Sequence, residues 1–166
     1  MKKTVFSLLV DNTAGVLGRI AGMFSRRGYN IDSLTVGVTA DPRYSRMTVV
    51  AMADDDIIEQ IENQLRKQED VREIKRLEAG ASVCRELVMI KISVNMQQRR
   101  DVVAVADIFR AKIVDVAESS LIIELTGNQD KIEAFISLLS GYEILEIART
   151  GLTGLSRGCD DVTFLD

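Results

Sequence analysis

The 166 residues are 46% apolar and 28% charged, with one proline, no histidine and a net charge of −4. This is the composition of a folded chain of one domain or two small ones, and its acidic balance argues against a general nucleic-acid or anionic-membrane binder. The lack of His removes Ser–His and Cys–His nucleophile pairs and the commonest metal ligand, while Cys84 and Cys159 are too few and too far apart for a zinc site or a disulfide framework and read as free thiols of a cytoplasmic protein.

The start, Met1-Lys2-Lys3, leads into a short strand pattern rather than the apolar core of a signal peptide. No apolar run approaches the ~18 residues of a membrane span. Residues 5–10 form the first predicted strand. After it, Leu17, Ile20, Ala21 and Phe24 fall at i, i+3, i+4 and i+7, one apolar helical stripe. Gly28 is a natural stop for that helix.

A second strand is expected over residues 31–39, a turn around Asp41 and Pro42, and a third strand over 46–53. Asp54, Asp55 and Asp56 then mark a helix start, where they cap the helix and meet its dipole. Ile58, Ile61 and Leu65 share its inner face, and Glu62 with Arg66 forms an i,i+4 pair outside. Residues 71–77 alternate imperfectly among charges and read as an edge strand.

After the small-residue linker 79–84 the same order returns. A strand over 86–94 precedes the stripe Val102, Val105, Ala106 and Phe109. Strands over 111–117 and 120–126 follow, then the stripe Ile132, Phe135, Ile136 and Leu139, then a strand over 142–148. The expected fold class is therefore α+β: two ferredoxin-like βαββαβ domains in tandem, with antiparallel sheets and helices on one face. The expected boundaries are 1–78 and 85–166, the latter ending in a flexible tail over 151–158. A sheet of this size leaves a face or edge to cover, and dimerisation is a common solution.

The segment between the first strand and its helix carries the most chemistry. Asp11-Asn12-Thr13-Ala14-Gly15-Val16-Leu17 opens a helix whose first N–H groups lack intrahelical acceptors and suit a carboxylate. Gly15 leaves room for a ligand to approach the backbone. On spacing alone Asn12 is equally an N-cap, Gly15 a close helix–sheet contact, and Asn30 a turn residue. The matching turn of the second half, Asn95-Met96-Gln97-Gln98-Arg99-Arg100-Asp101, has no Gly, so the candidate pocket is confined to the first half.

Three stretches in the first half are distinctive: Asp11-Asn12-x-x-Gly15-x-Leu17-x-Arg19; Phe24-Ser25-x-Arg27-Gly28-Tyr29-Asn30-Ile31-x-Ser33-Leu34-Thr35-Val36; and Ser45-Arg46-Met47-Thr48. They resemble the ACT domain of the regulatory (small) subunits of acetolactate synthase, also called acetohydroxyacid synthase. The tail ARTGLTGLSRG, residues 148–158, is similar to the end of the same family. The resemblance covers nearly the whole chain and implies an N-terminal ACT domain followed by an ACT-like domain.

It further implies a non-catalytic chain that partners an acetolactate synthase catalytic (large) subunit, stimulates it, and confers feedback inhibition by valine in branched-chain amino acid biosynthesis. Thiamine diphosphate, Mg2+ and FAD would belong to that catalytic subunit, with no cofactor in this chain. Valine would sit where the ACT domains of a homodimer meet. Asn12, Gly15, Val16 and Leu17 of one chain would face Asn30 and Ile31 of the other, with Val16, Leu17 and Ile31 forming the apolar wall. The competing reading is a stand-alone ACT-domain amino-acid sensor that regulates another enzyme.

Overall fold

The computed structural model describes residues 1–159 and Val162. They form two compact units. The first joins Met1–Cys84 with the described C-terminal residues that begin at Leu152, and the second is Arg85–Gly151.

In the first unit the order is β1 (Lys2–Asp11), α1 (Val16–Arg26), β2 (Ser33–Val38), β3 (Tyr44–Ala53), α2 (Asp55–Arg66) and β4 (Val71–Arg76). The sheet order is β2-β3-β1-β4, with every pairing antiparallel. Opposed pairs Phe6–Val49 and Leu8–Met47 lie on the face that meets the helices. Ile20, Met23 and Phe24 of α1 and Ile58, Ile61 and Leu65 of α2 close the core over them. These are the helical stripes read from the sequence, and β4 lies at the sheet edge as its charges suggest.

Two local details differ from expectation. Strand β2 starts at Ser33, because Asn30 and Ile31 complete the turn that follows Gly28 (φ 68). Asp54 occupies the N-cap position of α2, yet its carboxylate pairs with the Met1 ammonium at 3.0 Å instead of capping the helix. Asp55 and Asp56 remain to meet the dipole.

The second unit repeats the pattern. Strand β5 (Ser82–Ser93) opens in the first unit and continues into the second, followed by α3 (Met96–Ile108), β6 (Lys112–Val116), β7 (Ser120–Gly127), α4 (Gln129–Leu138) and β8 (Glu143–Arg149). The order β6-β7-β5-β8 matches the first sheet position for position. Val88, Ile90 and Ile92 pack with Leu121, Ile123 and Leu125 against Val102, Ala106, Ile132 and Phe135. The rings of Phe109 and Phe135 meet at 5.2 Å. The fold class expected from periodicity is the fold observed.

The tail corrects the sequence expectation. Residues 151–158 are not a free arm: β9 (Thr153–Ser156) pairs with β5, and Arg157 N–H donates to the Ala81 carbonyl at 2.8 Å. Leu152 is buried, and its carbonyl accepts from Thr35 Oγ1 at 3.2 Å. Gly154 is required by space. A Cβ there would lie 2.6 Å from Cys84 Sγ, 2.8 Å from Leu77 Cδ1 and 3.1 Å from the Val83 carbonyl. Burial of Leu152, worth roughly 1.5–3 kcal/mol, and the backbone pairing to β5 both work against the entropy lost in ordering the segment.

Candidate functional site

The N-terminus of α1 has neither a side-chain cap nor an acidic first turn, whereas α2, also without a side-chain cap, has Asp55 and Asp56 in its first turn. The N-cap of α1 is Gly15 at φ 89, which carries no side chain to cap with. Val16 N–H reaches the Thr13 carbonyl only at 3.5 Å, and no capping side chain serves Leu17 and Gly18. In α3, by contrast, Asn95 accepts from Gln97 and Gln98 N–H while Gln98 accepts from Asn95 N–H, a complete capping box. In α4 Asn128 accepts from Lys131 N–H. The second-half turn is also sealed by Arg99, whose Nη2 donates to the carbonyls of Ala117 and Glu118. Of the two equivalent turns, β1–α1 and β5–α3, the first thus presents the open N–H groups that suit a carboxylate.

Asn12 is not the cap of α1, which starts four residues later. Its backbone N–H donates to the Arg43 carbonyl at 2.8 Å, and its Nδ2 donates to the Pro42 carbonyl at 2.9 Å. Because a carbonyl can only accept, this bond fixes the amide orientation and leaves Oδ1 as an acceptor for an ammonium group.

Arg19, one turn into α1, folds back over Gly15. A Cβ on Gly15 would lie 2.7 Å from Arg19 Nη1. Arg19 Nε is held by Asp70 Oδ2 at 2.6 Å, and the Asp70 carbonyl accepts from Asp11 N–H at 2.9 Å. Arg72 grips both oxygens of Asp11, and that hydrogen-bonded guanidinium holds the Asp11 carboxyl below its ordinary range. A guanidinium beside the positive end of a helix is unfavourable by itself. Asp70 offsets part of that charge, and an anion bound there would offset the rest. Arg19 appeared in the sequence motif, but its role needed the 51-residue separation to Asp70 to be closed.

The six expected residues divide into two groups. Asn12, Gly15, Val16 and Leu17 gather at the start of α1. Val16 is buried in the core, so what it offers a ligand is backbone, whereas Leu17 is 46% exposed. Asn30 and Ile31 follow the opposite end of α1, a helix of 11 residues. At 1.5 Å per residue the two groups stand about 16 Å apart along it, so one chain does not bring them together. The Asn30 segment is firmly placed. The Tyr29 ring meets Phe24 edge-on at 6.3 Å and its hydroxyl donates to Gln60 Oε1 at 3.0 Å. Asn30 Nδ2 donates to Asp32 Oδ1 at 2.9 Å, which leaves its own Oδ1 outward, and Ile31 packs half-buried on the core.

Among the described residues no cluster of three or more His, Cys, Asp or Glu could hold a metal ion, and no helix is long and apolar enough to cross a membrane. Among the described residues, Cys84 and Cys159 form no disulfide.

Two tandem βαββαβ units, the first with an open β1–α1 turn, define a protein of the ACT-domain class. Residues 6–73 match the family model described as AHAS small subunit-like ACT domain, and residues 85–158 match that of the small subunit of acetolactate synthase. The chain is 45% identical over 155 residues to a probable acetolactate synthase small subunit of Methanothermobacter thermautotrophicus, covering 93% of this chain and 92% of that one. It is 43% identical to the acetolactate synthase isozyme 3 small subunit of Escherichia coli, covering 94% and 96%. The crystal structure of the acetolactate synthase small subunit from Thermotoga maritima superposes with a TM-score of 0.88 at 38% identity, covering 96% and 99%. The chain belongs to the acetolactate synthase small-subunit family.

Proposed function

We propose that this chain is a non-catalytic regulatory subunit that binds an acetolactate synthase catalytic subunit, raises its turnover, and makes it sensitive to valine. The open N-terminus of α1 carries this reading. Its Leu17 and Gly18 N–H groups receive the ligand carboxylate, Gly15 leaves them accessible, and Asn12 Oδ1 accepts from the ammonium. Hydrogen bonds to charged groups are worth roughly 1.5–3 kcal/mol each.

A second copy supplies Asn30 and Ile31. Two features support a homodimer through the ACT domains: the separation of the two residue groups by α1, and the position of β2 as an edge strand with exposed Val36 and Val38. A ligand held between two chains fixes their relative orientation, and inhibition follows when that orientation is bound more tightly than the active one. The isopropyl group rests against Leu17 and Ile31. Thiamine diphosphate, Mg2+ and FAD stay on the catalytic subunit, and the pair works in the cytoplasm.

The test is reconstitution with an acetolactate synthase catalytic subunit. Turnover should rise on adding the chain and then fall on adding valine. Turnover that is indifferent to both contradicts the proposal.

A further inference from the structure

Strand β2 returns to β3 through an exposed turn, and that turn is unusually well fixed. Thr39 N–H donates to the Tyr44 carbonyl at 3.0 Å, and Tyr44 N–H to the Asp41 carbonyl at 3.0 Å. Thr39 Oγ1 donates to the Asp41 carbonyl at 2.8 Å and accepts from Asp41 N–H at 3.2 Å. The Asp41 carboxylate accepts from Arg43 N–H at 2.9 Å and from its guanidinium through Nε and Nη2. That guanidinium lies 5.4 Å from the centre of the Tyr44 ring. A surface turn gains little from such a network for folding alone. It gains a great deal as a recognition element, because a pre-organised loop loses less entropy on binding. Arg and Tyr are also the residue types that dominate interface energetics.

The same turn is tied to the ligand turn. Both Asn12 bonds end on it, backbone to the Arg43 carbonyl and side chain to the Pro42 carbonyl. A displacement of Asn12 therefore moves Pro42 and Arg43 with it. Arg46 belongs to a different environment: its Nη1 reaches Ser7 Oγ at 3.1 Å and it is partly buried in the sheet.

We propose that the β2–β3 turn, presenting Arg43 and Tyr44, is the surface that docks on the catalytic subunit, and that Asn12 carries the state of the amino-acid site to it. This inference rests on the functional reading above and names its output surface. The occupant is the catalytic subunit, because the turn is coupled to the site whose occupancy that subunit must sense.

The experiment uses the full chain with an acetolactate synthase catalytic subunit. Valine binding to the chain is measured by calorimetry, and stimulation and inhibition by turnover. Arg43→Glu should bind valine with unchanged affinity yet require about tenfold more chain for half-maximal stimulation, and Arg43→Gln should shift the same way by less. Pro42→Gly, which loosens the turn and keeps its carbonyl, should bind valine while saturating valine inhibits less completely. Wild-type stimulation by Arg43→Glu overturns the docking surface, and wild-type inhibition in Pro42→Gly overturns the linkage. A wild-type chain that neither binds valine nor stimulates overturns the functional reading and this inference with it.

Discussion

Asn12 donates to the carbonyl of Pro42 across 2.9 Å, joining the turn that opens α1 to the turn between β2 and β3. The bond gives Asn12 two simultaneous tasks, since Nδ2 is taken by the protein and Oδ1 is left for a ligand. Asn12→Asp should therefore lose one task and keep the other. Its carboxylate can still accept from an ammonium but cannot donate to Pro42, and loss of this exposed bond should cost about 0.5–1.5 kcal/mol of stability. Urea denaturation checks this, and an unchanged midpoint contradicts it.

Gly15 and Gly80 both hold positive φ, at 89 and 84, and only Gly15 lies at the candidate site. Alanine at either position should destabilise the fold by about 1–2 kcal/mol. At Gly80 the added methyl meets open space, whereas at Gly15 it displaces Arg19. Equal losses of stability with valine affinity reduced only in Gly15→Ala would separate backbone strain from ligand binding. Gly15→Asp should go further: it sets a carboxylate where that of the ligand lies, and the variant should still stimulate the catalytic subunit while valine no longer inhibits. Inhibition by valine with unchanged potency would place the site elsewhere.

Arg19→Gln should weaken valine binding by about 1.5–3 kcal/mol, at least about tenfold in Kd. The discriminating ligand is valinamide, which lacks the carboxylate. If Arg19 only braced α1 against the Asp70 turn, valine and valinamide would lose affinity equally. A carboxylate partner predicts that the valine-to-valinamide preference collapses.

Much of this architecture was legible in the chain. Ile20 and Phe24, or Ile132 and Phe135, recur at helical spacing because one face must meet a sheet. The start of α1 was less legible, since Asn12 and Thr13 are good capping types and only the Gly15 backbone shows that the helix begins beyond them. Strand β9 escaped notice for another reason. Its four residues carry no alternation, and its position depends on the absence of a side chain at Gly154 against Cys84 and Leu77. The grouping of Asn12 with Asn30 came from the resemblance, because the two lie at opposite ends of a helix and no periodicity relates them.

Gly154→Val should consequently unseat β9, at a cost of about 1–3 kcal/mol from overpacking. Hydrogen exchange should accelerate at Arg157 N–H, whose acceptor is the Ala81 carbonyl. Gly141→Ala, where an added methyl meets nothing, is the control. Equal protection in both variants would contradict the spatial requirement at Gly154.

Stability should also rise with pH through the acidic range. Burial pushes the Glu62 carboxyl up, but hydrogen bonds from Arg66 and Arg76 outweigh it and leave its pKa below the ordinary 4.5. The folded state then binds fewer protons than the unfolded chain, so this contribution is complete above that ordinary value and is lost as pH falls through the lowered one. Urea midpoints between about pH 6 and pH 3 should fall more steeply for the wild type than for Glu62→Gln. Parallel profiles would contradict the assignment.

The two-chain site is tested most directly by mixing two inactive variants. Asn12→Ala and Asn30→Ala should each lose valine binding alone. Co-refolded, they should form heterodimers with one intact site, assembled from Asn12 of one chain and Asn30 of the other, restoring about a quarter of all sites in a twofold-symmetric dimer. Calorimetry that recovers this fraction at wild-type affinity supports the account. No recovery from the mixture, with both variants folded and dimeric, would contradict it.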